Sequence, residues 1–240
     1  MNDEPATGQV LLQMDDVEVG CFHDPHRVVL RHVHWRVSEG DFWIVAGFQG
    51  SGRTDFLLTA AGLLPARAGR IQWFGQPAPQ TESARLTLRR RLGLVFEDGR
   101  LLSELTVFEN LALPLAYHGI GSDAEIARAV ANMLDATELR PWAHRRSTAL
   151  PRAWQRRAGL ARALMLQPRL LLVDCPLQGL DRRHAGWWLA ALEALHAGRF
   201  PGLQHPLTLV VTAEDPAPWR SPGRTVAWLE QQQLKQEPNP

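Results

Sequence analysis

The clearest chemical spacing in the sequence is the run Gly47, Phe48, Gln49, Gly50, Ser51, Gly52, Arg53, Thr54. A short apolar stretch at 42–46 leads into it and a helix-like stretch at 55–63 leads out. Strand, glycine loop and helix in this order form a phosphate-binding loop, because glycines let backbone N–H groups turn inward at a helix N-terminus. Thr54 would offer its hydroxyl to a divalent cation, Mg²⁺, while Gln49, Ser51 and Asp55 complete the candidate phosphate-side set. The usual pattern has lysine where this chain has Arg53, which keeps the charge but replaces a compact ammonium by a wide planar fork. Lys235 is the only lysine among 26 basic residues, so Arg53 also follows a preference of the whole chain. Phosphate binding is expected to survive the change.

A second carboxylate-bearing element lies far along the chain. Leu170, Leu171, Leu172 and Val173 form an apolar strand that ends in Asp174. Such a strand places an acid beside the cation held by the loop hydroxyl. Thr54 and Asp174 are 120 residues apart, which leaves room for an inserted subdomain.

The elements that must position these groups follow from periodicity. Strands are expected at 9–18, 26–30, 33–38, 42–46, 72–74, 91–96, 170–173, 207–212 and 225–229. Helices are expected at 55–63, within 106–136, at 152–166 and at 183–196, with Ile126, Val130, Met133 and Leu134 on one face. Strands alternate with helices, so the fold class is α/β: a mostly parallel core sheet, an N-terminal antiparallel β subdomain and a helical subdomain. The core takes 1–96 and 151–230, the helical subdomain 97–150, and the polar, proline-ended segment 231–240 is expected to be disordered.

Composition bounds the function classes. A chain of 240 residues with 45% hydrophobic and 21% charged residues can bury a large core. A net charge of +1 gives no electrostatic footprint for nucleic acid. Cys21 and Cys175 provide neither a disulfide framework nor paired metal-ligand spacing. The acidic, polar N-terminus is unlike a secretory signal, and no apolar run approaches the ~18 residues of a membrane span. A cytoplasmic protein is expected, with any membrane role supplied by a partner.

Several segments in order resemble the ATP-binding subunits of ABC transporters. Asp174, Cys175, Pro176, Leu177, Gln178, Gly179, Leu180 and Asp181 resemble the DEP-x-x-GLD segment, with Asp181 at the D-loop position. Residues 92–115 look like the Q-loop and its following helix, and 208–214 occupies the place of the switch-histidine strand. Leu150, Pro151, Arg152, Ala153 and Trp154 stand where LSGGQ lies, running into Gln155, Arg156 and Arg157. The resemblance covers about 9–230. It implies ATP and Mg²⁺ as cofactors, a membrane-spanning permease as partner, and a second nucleotide-binding subunit, identical or not, whose signature completes each site. It also implies attachment to the inner face of the cell membrane through the permease, with residues 98–118 and the Q-loop as the contact. Within the family, residues 97–102, 110–117 and Trp187-Trp188 look most like ATPases of MCE-linked phospholipid transporters, which implies lipid cargo.

Against that pattern, catalytic positions are changed. Cys175 stands at the general-base position, Glu97 at the Q-loop glutamine, which also places it near the cation, and Ala213 at the switch histidine. An unperturbed thiol is a poor base for water. Pro151 lacks a hydroxyl and a backbone N–H, while Arg152 and Ala153 add side chains where glycines let phosphate approach. Slow hydrolysis is expected unless Glu97 or Glu214 replaces the base; a catalytically inactive structural or regulatory module is the alternative. Phe22 is placed either to stack on adenine or in the core. Cys21 with His23, His26, His32 and His34 is too irregular for a metal site. Tyr117, Trp142, Trp187 and Trp188 read as packing residues, and the arginines at 89–91 and 145–146 as solvated.

Overall fold

The computed structural model describes residues 8–24, 26–79 and 81–238. The acidic N-terminal segment 1–7 and residues 239–240 of the tail lie outside the described residues.

Two sheets carry the fold. In the first, strands β1 (Val10–Gly20), β2 (Val28–Ser38), β4 (Ala68–Trp73) and β5 (Gln76–Pro77) pair antiparallel in the order β2-β1-β4-β5. The two short strands expected at 26–30 and 33–38 are one strand, β2. The break suggested by the polar residues between them is a local irregularity, with His32 at positive φ.

The second sheet has the order β10-β9-β3-β8-β7-β6. Its members are β3 (Phe42–Ala46), β6 (Leu92–Val95), β7 (Leu170–Val173), β8 (Thr208–Ala213), β9 (Thr225–Glu230) and β10 (Gln233–Gln236). All neighbours are parallel except β10 and β9. β3 lies between β8 and β9 with every residue buried, and its period of two splits the core. Phe42 and Ile44 face one apolar cluster, with α5 (Arg152–Leu164), α6 (Arg182–His196) and the helical segment. Trp43 and Val45 face the other, with α1 (Arg53–Ala60) and the antiparallel sheet.

Residues 97–150 carry α3 (Val107–Tyr117) and α4 (Asp123–Ala136), each opened by a capping box, from Thr106 with Glu109 and from Ser122 with Glu125. The expected helical face of α4 is buried at Ile126, Val130, Met133 and Leu134.

Two more elements differ from expectation. A helix α2 (Glu82–Arg91) stands where none is expected, because it buries no residue and so leaves no hydrophobic period to read. The expected disorder at 231–240 is corrected over its described part. β10 pairs with β9, the Arg31 N–H donates to the Gln232 carbonyl at 2.8 Å, and Glu237 accepts from Arg220 and from the Trp228 indole. A polar strand is ordered here because its side chains find partners on the sheet edge, which composition alone does not reveal.

Candidate functional site

The glycine loop leaves the end of β3 and closes onto α1. Gly50 and Gly52 both sit at positive φ, where a side chain would be strained. A Cβ on Gly52 would lie 2.0 Å from Val29 Cγ1, and one on Gly47 would lie 2.4 Å from Ser51 Oγ. At Gly50 a Cβ would meet nothing within 4 Å, so the loop is tight against its surroundings at Gly47 and Gly52 and open at Gly50. Arg53 Nη1 donates to the Gly47 carbonyl, so the guanidinium folds back across the loop. Ser51 Oγ is buried and has no hydrogen-bond partner. A cavity of about 400 Å³ beside the loop is lined by Phe48, Gln49, Gly50 and Ser51 on one wall and by 27–29 and 229–232 on the other.

Thr54 and Asp174 meet as expected: Thr54 Oγ1 donates to Asp174 Oδ2 at 2.8 Å. The second Asp174 oxygen accepts from Thr212 Oγ1 at 2.8 Å, and that hydroxyl accepts in turn from the Cys175 N–H at 2.9 Å. Thr212 is the residue the sequence reading overlooked. It is the penultimate position of a fully buried strand, and a hydroxyl there can only be satisfied locally.

Cys175 sits at positive φ with its thiol buried, 3.4 Å from Thr212 Oγ1. Burial, and then the neighbouring Asp174 carboxylate, push its pKa up to about 11. The thiol is therefore neutral at physiological pH. Ala213 and Glu214 line a cavity of about 360 Å³ with Cys175, and the Glu214 side chain is exposed at its rim.

Glu97 lies with Thr54 and Asp174 around a further cavity of about 320 Å³, and Arg152 lines the same space. Its Oε1 stands 3.4 Å from Nη2 of Arg156. The remaining signature-position residues turn elsewhere. Pro151 caps α5, its carbonyl accepting from Trp154 and Gln155 N–H groups at 2.9 and 3.1 Å. Ala153 is partly buried in the first turn. Trp154 packs inward against Trp142 and His184, with the buried Arg157 guanidinium 4.6 Å above its ring and 4.0 Å above that of Trp187. Asp181 caps α6, accepting from the His184 N–H at 2.9 Å.

Asp55 accepts from the Phe22 N–H at 2.7 Å, tying the β1–β2 turn to α1. Phe22 itself is 48% exposed, so it is no core residue. Tyr117, expected to pack, is 68% exposed, because it ends α3 on the outward face. Trp188 is buried as expected.

A parallel sheet with a glycine loop after a central strand, an acid at the end of a neighbouring strand, an antiparallel β subdomain and a helical segment define an ABC-type nucleotide-binding fold. Solved structures support this. The ATP-binding cassette MJ0796, bound to ADP and Pi in a post-hydrolysis dimer, is 23% identical, with 95% of this chain and 98% of that one covered at a TM-score of 0.82. The cbiO1 protein of Clostridium perfringens, part of the ABC transporter complex cbiONQ, is 19% identical, with 94% and 87% covered at 0.74. An ATP-binding subunit of an ABC transporter is 23% identical, with 93% and 88% covered at 0.76. The family model described as ABC transporter matches residues 30–178, and the chain belongs to that family. Among the described residues, no helix is long and apolar enough to cross a membrane.

Proposed function

We propose that this subunit binds Mg²⁺ and ATP at the glycine loop and couples closure with a second nucleotide-binding subunit to a membrane-spanning permease, hydrolysing ATP slowly. The observation that carries the binding half is the Thr54–Asp174 contact at 2.8 Å beside a loop that is open at Gly50. The residues fit the ligand: Ser51 Oγ is a buried hydroxyl without a partner, and Gly50 leaves room for phosphate against the backbone. Thr54 and Asp174 would hold the cation, with Glu97 in reach of the same cavity. Mg²⁺, when bound, neutralises charge on the β- and γ-phosphates. Arg53 must release the Gly47 carbonyl to meet phosphate, so its fork exchanges an internal acceptor for an external one.

Slow turnover follows from Cys175. A thiol with a pKa near 11 takes no proton from water at neutral pH, and loss of a positioned base forfeits about 10²–10⁴ in rate. Ala213 reaches no phosphate. The alternative reading, a pseudo-ATPase that never completes a turnover, draws on the same two residues.

The permease contact is proposed at 98–118, where Leu102, Leu113 and Tyr117 are large apolar side chains left exposed. That cbiO1 belongs to a transporter complex supports the partnership. Lipid cargo rests on the resemblance of 97–102, 110–117 and Trp187-Trp188 to ATPases of phospholipid transporters. Its test is ATP-dependent movement of a fluorescent phospholipid in vesicles holding the reconstituted complex; a complex that moves only water-soluble cargo would sink it.

The decisive measurement is Mg-ATP binding and phosphate release in one preparation, with Arg53→Ala alongside. Binding lost in Arg53→Ala with release at background supports the inactive module. Arg53-dependent release above background supports slow hydrolysis, and Glu97→Gln and Glu214→Gln then identify the replacement base. Binding unchanged by Arg53→Ala overturns the loop as the nucleotide site.

A further inference from the structure

Arg156 is the group that the proposed function leaves unused. It sits in the second turn of α5, is only 7% exposed, and lines the cavity shared by Thr54, Asp174 and Glu97. A buried guanidinium is costly unless it is fully paired. This one is not. Nη1 donates to a neutral acceptor, the Gln178 carbonyl, and Nη2 reaches a single oxygen of the half-exposed Glu97 at 3.4 Å. Nε is buried and has no partner.

The surroundings add to the imbalance. Arg152, one turn earlier, lines the same cavity and makes no hydrogen bond or ion pair among the described residues. The first turn of α5 holds no acidic residue, and the positive end of a helix disfavours cations. Two like charges at i and i+4 repel. Three arginines and three carboxylates line the cavity, but Asp98 stands 3.9 Å from Arg100 and both Asp174 oxygens accept from threonine hydroxyls, which leaves Glu97 alone as the carboxylate in contact with Arg156.

We propose that Arg156, with Arg152 beside it, is an anion site acting in cis: its guanidinium receives the terminal phosphate of the nucleotide bound by the same chain's loop, displacing Glu97. This rests on the nucleotide-binding reading above and adds to it a preference for a nucleoside triphosphate over a diphosphate. The preference is set inside one subunit, by a side chain that stands in for the contact Ala213 cannot make. Gln178, held by the same guanidinium, lies three residues before Asp181, so exchange of the counter-ion also reaches the segment leading into α6.

The test is equilibrium binding of ATP and of ADP to the full chain by calorimetry with Mg²⁺, for wild type, Arg156→Gln, Arg156→Lys and Arg53→Ala. A charge-assisted contact to one phosphate predicts that Arg156→Gln weakens ATP about tenfold or more while ADP stays within about twofold. Arg156→Lys keeps the charge without the fork and should lie between, with the ATP-to-ADP affinity ratio reduced about threefold or more. Equal weakening of both nucleotides, or no change in their ratio, overturns the proposal. If Arg156→Gln does not fold, the ratio for Arg156→Lys decides in the same way. Arg53→Ala separates the two levels. Should wild type bind neither nucleotide, or Arg53→Ala bind both as wild type does, the loop reading fails and this one with it; a ratio unchanged at Arg156 beside binding lost at Arg53 removes this proposal alone.

Discussion

At Cys175 the backbone turns left-handed immediately after the acid of β7, and the thiol is closed in against Thr212. Because burial raises its pKa to about 11, the folded protein keeps the proton that an unfolded chain releases near pH 9. The stability tied to this group is whole below pH 9 and is lost as pH climbs toward 11. Wild type should therefore lose roughly 2 kcal/mol relative to Cys175→Ser across that window in parallel denaturant titrations. Equal losses in the two proteins would show that the thiol is not closed in. The acid–hydroxyl pair Thr54 and Asp174 was legible in the sequence because each stands at the end of an apolar strand or glycine loop with a known period. Thr212 was not, since a threonine in a β-branched run reads as strand material, and only its bonds to Asp174 and Cys175 give it a place in the site. Arg156 was hidden in the same way, as one arginine among many.

Between elements, the turn after β6 comes close to α5. Gly99 and Gly159 lie back to back: a Cβ on Gly159 would stand 2.8 Å from Gly99 Cα, and one on Gly99 2.4 Å from the Gln155 carbonyl. Arg162 adds a bond from its Nη2 to the Gly99 carbonyl at 3.2 Å. The turn that holds Glu97 is thus pinned to the helix that holds Arg152 and Arg156. Gly159→Ala should push them apart at a cost of about 1–3 kcal/mol, read as a lowered melting temperature, and should weaken nucleotide binding as well. An unchanged melting temperature would mean that the turn can yield. The sequence shows neither glycine's purpose. It does show the hydrophobic faces of α3 to α6, which is why those helices and the buried strands were legible while α2, with nothing buried, was not. The tail strand β10 escaped for the converse reason: its residues are polar, and its order comes from pairing with the edge of β9 and from the bonds of Glu237 to Arg220 and Trp228, which leave no hydrophobic period to read.

For the molecule as a whole, the proposed coupling surface makes one clear forecast. Leu113→Glu with Tyr117→Glu, both on the exposed side of α3, should abolish co-purification with the permease and leave Mg-ATP affinity within about twofold. Retained co-purification would place the contact elsewhere. The arrangement of the large sheet also bears on how the protein is made. β3 carries the loop proposed to receive phosphate, yet both of its neighbours, β8 and β9, come more than 160 residues later. A ribosome adding about 5–20 residues per second delivers them on the order of ten seconds after β3 has emerged. During that interval five consecutive apolar residues have no sheet to join. The nascent strand is an aggregation hazard until β8 and β9 emerge, so the loop takes shape only after residue 230 has left the tunnel, and a chaperone has reason to shelter Phe42–Ala46 until then.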